Sequence, residues 1–139
     1  MRTFSLGAGA DVVKFTSTSA DDANTIKNFT VTNDKLSFSK TTYTGLASAT
    51  NVTTLSTTGA KVSGTDKIYV GTKEQIESLK STQGGDKVYV AIVTSGDTGL
   101  GNIYTVTDSG TDNQAITPVL IGSIDNVAGL SFANFDLTS

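Results

Sequence analysis

Phe4-Ser5-Leu6-Gly7-Ala8-Gly9-Ala10-Asp11-Val12-Val13-Lys14-Phe15 is the stretch on which the reading of the fold turns. Phe4 and Val13 lie nine residues apart, each at the apolar place of a short extended unit, and Leu6 to Asp11 make the turn between units. Gly7 and Gly9 permit φ > 0, which a tight winding of the chain requires, and Asp11 supplies a carboxylate at the end of the turn. A plain glycine turn between two strands would use the same residues, so the choice depends on what surrounds them.

Outward from this stretch the signals are those of strands. Val12 to Phe15, Thr25 to Val31 and Leu36 to Phe38 alternate apolar and polar residues at period 2, and Asn33-Asp34 mark a turn. Residues 40–65 are almost all Thr, Ser, Gly, Ala and Asn, with isolated Tyr43, Leu46, Val52, Leu55 and Val62. They read as one long polar insertion or as two weak, half-exposed strands. Asp66 to Val70 reads as a strand. One helix is expected, from Lys73 to about Thr82, with Thr72 as N-cap, Gln75 as its reciprocal capping partner and Gln83-Gly84-Gly85 as a glycine stop. Further strands are expected at Lys87 to Thr94, Ile103 to Thr107, Pro118 to Ile124 and around Leu130 to Leu137, with hairpin-like turns at 95–99 and 108–113. The expected fold class is all-β: a β-sandwich or β-roll-derived domain with one short helix at about 73–82.

Composition supports this and narrows the chemistry. The 139 residues are the length of one domain, and 24 Thr, 15 Ser and 14 Gly fill the places that helix formers would occupy. There is no Cys, so no disulfide framework and no thiolate metal site, and no His, so no imidazole base or ligand. All ten basic residues lie in 1–87, while 88–139 carry five Asp and no Lys or Arg. A net charge of −3 with a single Arg, at position 2, argues against nucleic acid and anionic membranes as partners. No run approaches the ~20 apolar residues of a membrane span. Gly7, Gly9 and Asp11 interrupt what would be the apolar run of a secretory signal, and the chain is expected to start within a longer protein.

Taken in order, these segments resemble the end of an RTX β-roll and the region that follows it in bacterial surface-layer proteins exported by type I secretion. Gly7, Gly9, Asp11 and Val13 match the nonapeptide G-G-x-G-x-D-x-U-x of the calcium-binding roll, with Leu6 in place of the first Gly and Arg2 where the preceding turn's Asp would stand. Asn24 to Thr30 and Asp34 to Ser39 are similar to the segments D-x-I-x-D-F and D-x-L-x-F/L-S that close such rolls, with Asn24 and Asn28 replacing Asp. Val88 to Val93, Gly101 to Gly110, Leu120 to Ile124 with Val127, and Leu130 to Phe135 are similar to the C-terminal region of those proteins. The resemblance implies residues 1–15 as a remnant of a roll turn and 16–139 as a C-terminal mainly-β surface and secretion domain. It also implies a non-catalytic structural module, secreted to the bacterial cell surface and carrying an uncleaved export signal. Its partners would be copies of itself or other surface-layer subunits, and the type I transporter during export. The alternative is a calcium-dependent adhesin-like module that recognises a surface glycan or protein.

Calcium is the cofactor that the resemblance implies. Gly7, Gly9 and Asp11 offer half of a site, since each roll calcium takes ligands from two successive turns; otherwise Asp11 caps its own turn. Asp108-x-Gly110-x-Asp112-Asn113 spaces oxygens as a calcium loop does but has no bidentate Glu, and a plain β-turn is the competing reading. Asp97 in its glycine-rich turn is a weaker case. Gly7-Ala8-Gly9 and Gly99-Leu100-Gly101 each begin a dinucleotide fingerprint and lack its third Gly and its helix. A serine nucleophile would need a lysine base, and Ser78 and Lys80 sit on different faces of the expected helix. The two Glu lie on the exposed side of that helix. Asn28-Phe29-Thr30 and Asn51-Val52-Thr53 match the glycosylation sequon, as a Thr-rich chain does by chance. No catalytic residues are expected.

Overall fold

The computed structural model describes residues 2–64, 67–95 and 101–139. Among the described residues strand accounts for 40% and helix for 10%, so the domain is all-β. The strands are β1 (Thr3–Ser5), β2 (Val12–Phe15), β3 (Asn24–Lys27), β4 (Lys35–Ser39), β5 (Val52–Thr54), β6 (Ile68–Thr72), β7 (Val88–Ser95), β8 (Gly101–Thr107), β9 (Val119–Ile124) and β10 (Phe135–Thr138). Among the described residues the one α-helix, α1, spans Lys73–Glu77.

Seven strands form one sheet in the order β1-β3-β9-β8-β7-β6-β5, and three form a second in the order β10-β4-β2. The chain alternates between the sheets: β1 in the large, β2 in the small, β3 back in the large beside β1, and β4 back in the small beside β2. Both pairings are parallel, with Phe4 opposite Ile26, Val13 opposite Leu36 and Phe15 opposite Phe38. After a long excursion the C-terminal segment repeats the step. β9 lies parallel to β3, with Ile124 opposite Ile26, and β10 lies parallel to β4, with Phe135 opposite Leu36. Three coils, β1–β2, β3–β4 and β9–β10, are therefore stacked, the third supplied by residues about ninety positions away. The boundary expected after residue 15 coincides with no break in either sheet.

One core fills the space between the sheets. Phe15, Leu36, Phe38 and Phe135 from the small sheet meet Ile26, Ile103, Ile121 and Ile124 from the large one. Phe15 and Phe38 stack with centroids 5.1 Å apart and planes 10° from parallel, and Phe38 is 6.1 Å from Phe135. Such pairs each add ~0.5–1.5 kcal/mol beyond area burial, so an aromatic stack ties the three coils together. A second core lies on the outer face of β6–β8, where Tyr69, Tyr89, Ala91, Val93 and Val106 are covered by Leu55, Val62, Ile76, Leu79 and Ile116. β6 and β7 are buried on both faces, which is why Ile68-Tyr69-Val70 and Val90-Ala91-Ile92-Val93 read as unbroken apolar runs rather than alternations. Tyr89 packs edge-on against Tyr69 at 5.7 Å.

Several elements are shorter than the sequence suggests. α1 stops at Glu77 rather than near Thr82, although its capping box forms as expected: Thr72 Oγ1 accepts from Gln75 N, and Gln75 Oε1 accepts from Thr72 N. Ser78 turns its hydroxyl back onto the Gln75 carbonyl, and Lys80 leaves to bridge Lys61 and Ala115. β3 ends at Lys27 because Asn28 takes a φ of +63°, a conformation no strand continues. Residues 40–64 hold one short strand, β5, and a 3-10 turn at Thr44–Leu46. The expected hairpin turn at 95–99, with Asp97, and Gly99-Leu100 lie largely outside the described residues.

Candidate functional site

The three coils bring three successive turns to one edge of the stack: 6–11, 28–34 and 125–134. A polar ladder connects them. Asp11 N donates to Asp34 Oδ1 at 3.0 Å, and Lys35 N donates to the Asp11 carbonyl at 2.9 Å. Asp34 Oδ2 accepts from Thr30 N at 2.8 Å and from Thr30 Oγ1 at 3.0 Å. Asn134, immediately before β10, donates through Nδ2 to the carbonyls of Val31 (2.8 Å) and Asp34 (3.0 Å). Asp125, immediately after β9, accepts from Asn28 N at 2.7 Å and from Phe29 N at 3.2 Å.

Asp34 is the centre of this ladder and is 1% exposed. Burial by itself pushes its carboxyl pKa up, but the hydrogen bonds from Thr30 N, Asp11 N and Thr30 Oγ1 outweigh that and hold it below the usual 3.8. The sequence marks Asp34 as a turn residue and as the start of the segment Asp34 to Ser39, and gives no sign of the donors that converge on it. Asp125 and Asn134 carry no local signal of their role, since the N–H donors that Asp125 satisfies and the carbonyls that Asn134 satisfies lie about a hundred residues away.

Of the residues expected to hold calcium in the first turn, Gly9 takes the left-handed φ of +93° that the winding needs, whereas a Cβ at Gly7 would touch nothing. Asp11 Oδ2 is buried and has no hydrogen-bond partner among the described residues. The carboxylate that the next turn would contribute, Asp34, is committed to its three donors. Asp11 therefore offers one carboxylate oxygen, and among the described residues no group of three or more acidic side chains could hold a metal.

The structure sends Asp108 and Asp112 to different surroundings. Asp112 is half-exposed and pairs with Lys61 at 2.8 Å. Asp108 is buried, its Oδ1 accepting from Gly110 N at 2.9 Å and Thr82 N at 3.2 Å. Ser78 serves the backbone at Gln75 and Gly59, and buried Ser81 accepts from Ser109 N. Among the described residues no basic side chain holds either serine hydroxyl. Glu74 and Glu77 are exposed on α1.

Beside the first coil, a cleft of about 410 Å³ is lined by Arg2, Phe4, Lys14, Ser17, Asp21 and Asn24. The open end of the stack leaves Phe4 41% and Val12 57% exposed on the unpaired edges of β1 and β2. Among the described residues no helix is long and apolar enough to cross a membrane. Comparison with family models, with curated proteins and with solved structures finds no match to this chain.

Proposed function

We propose that this chain is a non-catalytic structural module of a secreted bacterial surface-layer-like protein, a β-roll-derived domain whose C-terminal segment carries a type I export signal. The observation that supports the reading is the parallel winding of β1–β4, with the glycine turn 6–11 and its Asp11 connecting β1 to β2. The exposed edges of β1 and β2, with Phe4 and Val12 in solvent, are what a further coil of the same kind would cover. Calcium would be held by Asp11 only where such a coil brings a second carboxylate.

The basic-free segment 88–139 supports the export reading. Such a segment must reach a transporter unfolded, and self-repelling acids with few compensating cations delay collapse. Outside the cell the same segment would close the third coil through Asp125 and Asn134. The adhesin-like alternative would use the cleft at Arg2 and Lys14, whose two cations and exposed Phe4 suit an acidic glycan.

The test is a passenger fused ahead of residues 1–139 and expressed with a type I transporter. Export is expected, and removal of Phe132 to Ser139 is expected to abolish it. Asp125→Ala, which unlatches the coil but leaves the terminal residues, should leave export intact. Equal export of the truncated fusion would overturn the proposal, as would saturable binding of an acidic glycan at the cleft without self-association.

A further inference from the structure

The stack of coils is closed at one end and open at the other. Beyond β9 the large sheet continues into β8, but beyond β1 and β2 no strand lies among the described residues. Phe4 stands in the row of Ile26 and Ile124, both fully buried, and is nevertheless 41% exposed. A groove of about 270 Å³ opens between the two edges, and its lining includes Phe4, Leu6, Val13, Phe15 and Ile26.

The backbone of β2 is set to receive a further strand. Its register with β4, and the bond from Lys35 N to the Asp11 carbonyl at 2.9 Å, turn the peptide groups of Asp11, Val13 and Phe15 toward β4. Val12 and Lys14 therefore present their N–H and C=O groups to the empty side. The rows of side chains indicate what suits the place opposite them. Val13 is in line with Leu36 and Phe135, Phe15 with Phe38 and Leu137, and Lys14 with Ser37 and Asp136. Lys14 is exposed, its strand neighbour in that row is the neutral Ser37, and it enters no ion pair found among the described residues.

Asp11 gives the direction. One coil further in, Asp34 takes the N–H of Asp11 on Oδ1 at 3.0 Å. Asp11 repeats that position one row out, and its own Oδ2 is buried with no hydrogen-bond partner among the described residues. A strand laid parallel to β2 would bring a backbone N–H to Asp11 as Asp11 brings its own to Asp34. A second copy related by a two-fold axis would pair β2 with β2 antiparallel and would not repeat that step.

We propose that the open end accepts an extended segment of another polypeptide, added to β2 as a fourth, parallel strand, with an acidic residue opposite Lys14 between apolar residues opposite Val13 and Phe15. Main-chain bonds to Val12 and Lys14 supply the affinity, and the acid and its two apolar neighbours select the segment. At the ~4.8 Å spacing of adjacent strands, the acid is the ion partner that Ser37 cannot be. The apolar pair closes the groove beside Phe4 and Leu6. This acceptor role rests on the stacked-coil reading of the open end and on neither calcium nor export, so its failure would leave the export test standing.

The probe is a fluorescent peptide copying residues 131–139, whose Phe135-Asp136-Leu137 has the required order, titrated with the whole chain and followed by anisotropy. Saturable binding is expected. Lys14→Glu should weaken it about tenfold, and a peptide with Lys in place of its Asp should bind Lys14→Glu more tightly than it binds the wild type. Asp11→Ala should weaken binding of the original peptide, and Lys73→Glu, an exposed change on α1, should leave it unaltered. No binding at up to about 1 mM peptide would overturn the proposal. So would unchanged affinity in Lys14→Glu or Asp11→Ala, which is the result expected if the peptide displaces β10 from β4 instead. A dimer seen in sedimentation that excludes the peptide would overturn it too, by giving the edge to a second copy.

Discussion

Replacing Asp34 by Ala removes the acceptor on which three donors converge, and with it the side-chain link between the turns of the first two coils. Hydrogen bonds to an ionised group are worth about 1.5–3 kcal/mol each, with buried donors left unsatisfied costing about 1–3 kcal/mol. Simple addition overstates the total, because Thr30 is exposed and water can reach its N–H and hydroxyl, whereas Asp11 N is half-buried. The expected loss is therefore about 3 kcal/mol, with the half-buried Asp11 N–H the largest single contributor. Asp34→Asn keeps one acceptor oxygen but turns an amide toward a donor, and should cost about 2 kcal/mol. Urea unfolding at neutral pH, followed by far-ultraviolet circular dichroism, measures both. Because the folded pKa lies below the unfolded one, the charged side chain contributes its full stability above about pH 4 and loses it as the pH falls through the lowered folded value. The wild type should therefore lose stability on acidification more steeply than Asp34→Asn. A cost below about 1 kcal/mol for Asp34→Ala, with an unchanged acid limb, would show that the turns are held by something other than this ladder.

Gly45→Ala should destabilise by about 1–3 kcal/mol, since its Cβ would lie 2.3 Å from Tyr89 Cδ1 and that ring is fixed by Tyr69 and by its hydroxyl bond to the Gly64 carbonyl. Gly7→Ala, with nothing within 4 Å of the added carbon, is the matched control and should stay within about 0.5 kcal/mol in the same unfolding experiment. Tyr43, whose pKa burial pushes up to about 12, should remain un-ionised in an ultraviolet titration until well above the range of free tyrosine. Its raised folded pKa means that stability is full below pH ~10 and falls as the pH rises through that window. Thr72→Ala should cost about 1 kcal/mol by removing the capping box of α1, read as a shift in the urea midpoint at constant slope.

The sequence by itself determined the all-β class, because Thr, Ser and Gly fill the places of helix formers and the apolar residues recur at strand period. It also located the capping box at Thr72–Gln75, since both partners lie within one turn of helix, and the wound turn at Gly7–Asp11, since the needed glycine is local. The length of α1 was not legible: residues 78–82 have helical spacing, and only the bridges of Lys80 to Lys61 and Ala115 draw the chain away. The destination of Asp112 was equally hidden, because Lys61 is far along the chain, and of the two donors that hold Asp108 only Gly110 N is local, while Thr82 N lies well upstream. Tertiary structure alone decided that the C-terminal strands form the third coil. Parallel pairing leaves no turn signature, and Asp125 and Asn134 act on an N–H donor and on carbonyl acceptors about a hundred residues upstream, so nothing in their own neighbourhood distinguishes them from ordinary turn residues.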